Sequence, residues 1–212
     1  MLKLTLQYIS ICAPLIPLLI FIFRRSHFVL SKWLLFYLLI SLVNDVLLMM
    51  IAKGRLVFDS YYLIHGFMMA EFILLSFYFQ GQKIFPLRQR CLIPAITGLG
   101  LAAYWYIVYC TAFAALNGGG CALFSLIIIS YAIFGFEKLT RKAVPVFLEQ
   151  TALFWTTSGF LLFFSACFFL YLLWQHIPKS GLANSLWFIV HDGFNIIKCI
   201  FIAVSFTRKT DQ

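Results

Sequence analysis

Charged residues are scarce in this chain, and acidic residues are scarcer than basic ones. Charged side chains make up 11% of the 212 residues, and only seven residues are Asp or Glu, whereas soluble domains carry about 25% charged residues. Hydrophobic residues make up 63% of the chain, and the mean hydropathy is +0.97. This composition excludes an ordinary soluble domain and predicts an integral membrane protein.

Sequence signatures of soluble enzymes and of metal sites are also lacking. The chain has no dinucleotide fingerprint, kinase signature or zinc-ribbon spacing, and no two of its histidines stand in an H-x-x-x-H pair. Its six cysteines include no C-x-x-C pair, which argues against a thiol oxidoreductase. The run 117–120 is glycine-rich but lacks the Lys and Ser/Thr of a phosphate-binding loop. We therefore expect no cofactor, no metal and no catalytic residues.

Seven apolar segments account for most of the chain. They lie near residues 7–23, 32–52, 61–80, 91–110, 120–136, 152–175 and 186–206, and each is long enough to cross a hydrocarbon core of about 30 Å as a helix. Backbone groups in lipid must bond internally, so the predicted fold is all-α. We predict a polytopic transmembrane helical bundle, with 1–212 as a single integral-membrane domain. Because the first and fifth segments are short, six spans with one re-entrant segment remain the alternative.

The positive charge of the chain is unevenly distributed between its connections. The net charge is +9, and eleven basic residues fall on one side of the predicted spans: Arg24, Arg25, Lys32, Lys83, Arg88, Arg90, Lys138, Arg141, Lys142, Arg208 and Lys209. The other side holds four: Lys3, Lys53, Arg55 and Lys179. The positive-inside rule then predicts N-out, C-in, with the lipid bilayer as partner and no nucleic acid. We expect a multi-pass protein of the cell inner (cytoplasmic) membrane.

Two local features concern the first span and the cysteines. Pro14 and Pro17 lie within the first span, and no small-residue cleavage site follows it, so we expect a retained, kinked helix rather than a signal peptide. Cys110 and Cys121 flank one predicted outer connection. A disulfide between them is compatible with an oxidising compartment, and the sequence leaves the free and bonded states open.

Several ionisable and polar residues lie inside the spans. A charge at the bilayer centre costs about 2.5–3.5 kcal/mol on insertion scales, so such residues usually face the protein interior and often mark a site. We predict a ligand or ion site in the outer half of the bundle, on three helices that place these side chains at overlapping depth. It is formed by Asp45, His65, Glu71, His191, Asp192, Asn195 and Lys198.

Helical spacing refines this candidate site. His191, Asn195 and Lys198 are spaced i, i+4, i+7, so they share one helix face, which must look into the bundle. We expect Lys198 to pair with Glu71 or Asp45, the carboxylates closest to it in depth. A buried polar network that only fixes helix register is the simplest alternative, and a catalytic site is a third.

Three strings of the sequence resemble a known family. They are "AEFILLSFYF", "FWTTSGFLLFFSACFFLY" and "LWFIVHDGFNIIKCIFIAVSF", and they are similar to a family of small bacterial seven-span membrane proteins with no established activity. The resemblance implies that the family's recurring positions are Glu71, Phe154, Trp155, Gly159, Phe164, Ser165, His191 and Asn195. Asp192 and Cys167 depart from the pattern. A link to sensory signalling partners is the functional expectation that comes with it.

Two functional classes remain open, with a third behind them. The short connections and the lack of an output domain favour a receptor-like or accessory sensory module that acts on a cytoplasmic or membrane signalling partner. A small transporter or proton-relay protein is the alternative, although no inverted repeat or paired helix break is evident. An intramembrane enzyme comes third, so the enzyme question leans toward no. The oligomeric state stays open.

Overall fold

The computed structural model describes residues 2–24, 32–82, 87–111, 118–141, 148–173 and 181–208. In this part of the chain the regular structure is helical, apart from one short 3₁₀ turn at Leu148–Gln150. The helices are α1 (Leu2–Cys12), α2 (Leu15–Arg24), α3 (Lys32–Ala52), α4 (Ser60–Gln80), α5 (Leu87–Thr111), α6 (Gly118–Arg141), α7 (Ala152–Leu173) and α8 (Gly181–Ser205).

Seven segments of the described chain are long and apolar enough to cross a membrane, which confirms the predicted helical bundle. The first is formed by α1 and α2 together, over Leu4–Phe23, and each of α3 to α8 contributes one more. The fifth segment was expected to be short, but α6 has 24 residues. The re-entrant alternative is therefore not what the fold shows. The N-out, C-in orientation stays a prediction.

The first span is broken where its first proline lies, as the sequence predicts. Proline has no backbone N–H, so Pro14 cannot donate to the carbonyl of Ser10 as a helix requires. Instead, the Ala13 N–H donates to that carbonyl at 3.2 Å, and the Asn195 amide of α8 approaches it at 3.5 Å. A neighbouring helix thus satisfies the backbone group that the proline frees, as membrane helices need.

The spans follow one another around the bundle, and the last packs on the first. The broken first span packs against α3 and α8, α3 against α4, α4 against α5 and α6, and α7 between α6 and α8. Aromatic rings of α3 and α4 pack against α7: the Phe160 ring of α7 contacts the rings of Tyr37, Tyr78 and Phe79. The helices α3, α4, α7 and α8 therefore surround the middle of the bundle, where the candidate residues lie.

One glycine allows α7 and α8 to approach closely at this level. A Cβ at Gly159 would lie 2.9 Å from the Phe201 Cβ and 3.3 Å from the Lys198 carbonyl oxygen. Such distances leave no room for a side chain, so the absence of a Cβ sets the separation of the two helices. Small residues at helix contacts are the usual device for close packing in membranes.

The two ends of the bundle can be told apart by their connections. We call the end that holds the α3–α4 connection the predicted outer end, and the end where α8 finishes the predicted inner end. The α3–α4 connection turns through Gly54 at φ 67° and ends at Asp59, whose carboxylate caps α4 by accepting from the Tyr61 N–H at 2.9 Å. All six cysteines are free, so Cys110 and Cys121 are not bonded.

Candidate functional site

Three buried side chains from three helices form a hydrogen-bonded chain in the middle of the bundle. The Lys198 ammonium group of α8 donates to the Tyr37 hydroxyl of α3 at 2.6 Å, and that hydroxyl donates to Glu71 Oε1 of α4 at 3.0 Å. Their exposed fractions are 2% for Lys198, 0% for Tyr37 and 5% for Glu71. Among the described residues, Lys198 makes no direct ion pair with Glu71 or Asp45, and the Tyr37 hydroxyl instead lies between Lys198 and Glu71.

The depth of this chain follows from the positions along the helices. Glu71 lies eleven residues into α4, whose 21 residues run from Ser60 to Gln80, which places it about 16 Å along the helix axis. Lys198 lies seven residues before the end of α8, about 10 Å from that end. The chain is thus at mid-depth and slightly toward the predicted inner end, deeper than the outer half in which the polar centre was expected.

Aromatic rings enclose the Lys198 ammonium group. Its Nζ lies 3.8 Å from the centroid of the Phe163 ring and 5.2 Å from that of Tyr37. A desolvated cation gains about 2 kcal/mol from the face of an aromatic ring. Since Gly159 also brings α7 against the Lys198 backbone, α7 fixes the position of the charge that α3 and α4 bind.

A second group of polar residues lies on α8 and α3, closer to the predicted outer end. His191 stacks on Trp187 at a centroid distance of 5.4 Å, meets the edge of Phe163 at 5.6 Å, and has its Nδ1 3.5 Å from Asp192 Oδ1. Asp45 is half-buried and interacts electrostatically with Lys198, His191 and Asp192. These residues lie near the buried chain, and no hydrogen bond or ion pair in the described part of the protein joins them to it.

Asn195 contributes to helix packing rather than to this group. Its amide donates to Ser10 Oγ of α1 at 2.9 Å and approaches the Ser10 carbonyl, the group that Pro14 leaves without its usual donor. Both Asn195 and Ser10 are buried. The amide therefore joins the broken first span to α8.

His65 lies apart from the other candidates. Its Nδ1 is hydrogen-bonded to the Tyr104 hydroxyl of α5, and Tyr104 continues a stack of rings through Phe124 to Phe72. The predicted site thus divides: Asp45, Glu71, His191, Asp192 and Lys198 gather between α3, α4 and α8, whereas Asn195 faces α1 and His65 faces α5.

The sequence reasoning missed four residues that position the candidates: Ser10, Tyr37, Tyr104 and Phe163. Tyr37 had a usable signal, since it lies about one turn inside α3 in an otherwise apolar run, deeper than an interfacial tyrosine. Ser10, Tyr104 and Phe163 carry no sequence signal, because only the packing of helices shows which side chain each one meets.

The chemistry available at this site is that of a buried, hydrogen-bonded cation and carboxylate. Among the described residues, no three His, Cys, Asp or Glu side chains are arranged to hold a metal ion. Because the Tyr37 hydroxyl accepts from Lys198 and donates to Glu71, a change in the position or charge of the Lys198 ammonium group can alter the hydrogen bond to Glu71. No protein-family model, no curated protein and no solved structure matches this chain, so the site carries the functional argument alone.

Proposed function

We propose that this protein is a receptor-like or accessory sensory module of a bacterial inner membrane, with its N-terminus outside and its C-terminus inside. The observation that supports the proposal is the Lys198–Tyr37–Glu71 chain, which joins three helices through buried, hydrogen-bonded ionisable groups. A change that breaks either hydrogen bond leaves a buried polar group unpaired, which is costly. The position of α8 relative to α3 and α4, which this chain joins through side chains, therefore depends on the state of the chain.

A continuous helix connects this chain to the predicted inner end. From Lys198, α8 continues to Ser205, and Arg208 follows it with its guanidinium 6.0 Å from the centroid of the Trp155 ring. The Trp155 indole N–H donates to the Glu149 carbonyl in the 3₁₀ turn before α7 at 2.7 Å. A displacement of α8 would thus reach an exposed basic residue and the α6–α7 connection together, where a signalling partner would bind.

The partner can be tested by mutation of the two ends of the bundle. Wild type, Arg208→Gln and Arg55→Gln are tagged, cross-linked in native membranes and purified in a mild detergent. The sensory proposal expects one specific protein to be retained with wild type, reduced with Arg208→Gln and unchanged with Arg55→Gln, whose position is at the predicted outer end. If wild type retains no protein that an unrelated seven-span protein does not also retain, the sensory proposal is contradicted.

A proton relay is the second candidate, and one observation favours it. The Tyr37 hydroxyl accepts from Lys198 and donates to Glu71 at the same time, which is the arrangement that passes a proton along a chain. Proteoliposomes that enclose a pH-sensitive dye separate the two candidates. A relay would show proton uptake above protein-free liposomes after a pH step, and Tyr37→Phe would abolish it. The sensory module would show no uptake above that background.

A further inference from the structure

A groove of about 260 Å³ lies on the surface between α3 and α4. Its lining is apolar apart from Asn44 and the Tyr62 hydroxyl. It includes Val43 and Leu47 of α3 and Phe67 of α4, together with the small residues Gly66 and Ala70. No atom lies within 4 Å of the position that a Cβ on Gly66 would take. The groove is therefore open to the surroundings of the bundle at its smallest residues.

The position of the groove limits what can occupy it. Both of its walls belong to membrane-spanning helices, so an occupant must come from the bilayer. The groove begins at Phe58 and Tyr62, both exposed, near the predicted outer end. From Tyr62 to Ala70 it follows α4 for about 12 Å. This is the shape of a site for one extended apolar chain whose polar end lies at the membrane surface.

The α3–α4 connection, which includes Phe58 of the groove lining, carries a net positive charge. The α3–α4 connection carries Lys53 and Arg55, both exposed, and Lys53 lies over the Tyr8 ring at 5.2 Å. The Arg55 side chain makes no ion pair or hydrogen bond with the described residues. The acidic residue of the connection, Asp59, is engaged as the cap of α4. An anionic headgroup would complement this end of the groove.

We propose that the groove binds one acyl chain of an anionic phospholipid, whose phosphate lies beside Arg55. The inference does not depend on the sensory role. A helix of a second copy would also fit the pair Gly66 and Ala70, since small residues four apart favour helix association. However, a symmetric contact pairs the same surface patch of both copies, so it would place Lys53 and Arg55 opposite their own equivalents. Like charge disfavours that occupant, whereas it attracts a phosphate.

Photolabelling tests the acyl chain directly. The full-length protein is reconstituted in vesicles that contain phosphatidylglycerol with a diazirine in one acyl chain, and adducts are mapped by mass spectrometry. We expect labelling of the groove several-fold above that of the exposed surface of α5. Gly66→Leu fills the groove and should remove this excess, whereas Gly98→Leu, at an equally open glycine on α5, should retain it. Equal labelling of the two surfaces, or an unchanged excess in Gly66→Leu, would overturn the proposal.

Headgroup competition tests the role of Arg55. Unlabelled phosphatidylglycerol should compete for the groove about fivefold better than phosphatidylcholine, as expected for one basic residue near the surface, and Arg55→Gln should remove the difference. Equal competition in wild type would exclude the anionic headgroup. A disulfide-linked dimer of Gly66→Cys that persists in excess phosphatidylglycerol would instead assign the groove to a second copy and contradict the proposal.

Discussion

Lys198 and Glu71 are joined through the Tyr37 hydroxyl, which lies 2.6 Å from the lysine Nζ and 3.0 Å from the carboxylate oxygen. Opposite charges in hydrocarbon would ordinarily be expected to meet directly. The Tyr37 hydroxyl lies between the two charged groups and adds a third helix, so that α3, α4 and α8 share one hydrogen-bonded chain. The stability of the bundle should therefore depend on a tyrosine as well as on the two ionisable residues.

Replacing that tyrosine tests the chain most simply. Tyr37→Phe removes the hydroxyl and retains the ring, so the Lys198 and Glu71 side chains each lose a partner in a buried site. We expect the free energy of unfolding to fall by about 1–3 kcal/mol, measured as a lower melting temperature in detergent. Tyr106→Phe is the matched control, because Tyr106 is 70% exposed on α5. Equal melting temperatures for the two variants would show that the bridge contributes nothing.

A double-mutant cycle measures the coupling between the two ionisable residues. Lys198→Met leaves the Tyr37 hydroxyl without its donor. Glu71→Gln removes the buried negative charge but keeps a side-chain oxygen that can accept from Tyr37. We expect each change to destabilise the protein. Because the residues share one chain, the double mutant should lose less than the sum of the single losses, by about 0.5–3 kcal/mol. In a second cycle, Asp45→Asn takes the place of Glu71→Gln. Asp45 interacts with Lys198 electrostatically and not through a hydrogen-bonded chain, so the coupling should be smaller. Strict additivity with Glu71→Gln would refute the coupling.

The approach of α7 to α8 provides a third prediction. Gly159→Ala places a methyl group 2.9 Å from the Phe201 Cβ, which forces the two helices apart and should lower the melting temperature. Gly193→Ala on α8 has no atom within 4 Å of its new methyl group. Alanine is favoured over glycine within a helix by about 1 kcal/mol, so this control should be neutral or stabilising. A loss of similar size in both variants would not fit the observed packing.

Asn195 provides a test of structural against functional roles. Asn195→Ala removes the hydrogen bond to Ser10 and leaves the carbonyl freed by Pro14 without this donor. Amide hydrogen exchange in α1 should accelerate, and Ser10→Ala should add little to the effect because the two side chains share one interaction. If amide hydrogen exchange in α1 is unchanged, Asn195 is not needed for the packing of α1 and is again a candidate ligand-binding residue.

The number and position of the spans could be predicted from the sequence because a helix that crosses a bilayer needs about 20 apolar residues. Pro14 likewise predicted the break in the first span, since proline cannot donate the regular helical hydrogen bond and its ring clashes with the preceding turn. The length of α6 was underestimated because its last turns, from Phe136 to Arg141, are polar enough to read as a connection. These residues nevertheless favour a helix, so α6 continues to Arg141.

The candidate site was only partly predictable, and the reason is geometric. Spacing along α8 puts His191, Asn195 and Lys198 on one side of the helix, but it does not identify the helix that each side chain contacts. Asn195 meets α1 while Lys198 meets α3, a distinction that depends on how the broken first span packs. Tyr37 lies about one turn inside α3, deeper than an interfacial tyrosine, but this depth alone does not show that its hydroxyl lies between Lys198 and Glu71.

The central claim is that the Lys198–Tyr37–Glu71 chain sets the position of α8 relative to α3. Spin labels at Lys32, at the start of α3, and at Thr207, after α8, would report that separation. Both positions are exposed, and the exposed cysteines Cys12, Cys91 and Cys110 would first be replaced.

Double electron–electron resonance then compares this protein with its Glu71→Gln variant in lipid nanodiscs. The account predicts a shifted or second distance population in Glu71→Gln, with the protein still folded. A distance distribution identical to that of the parent, accompanied only by a lower melting temperature, would contradict it and leave the chain as a packing device.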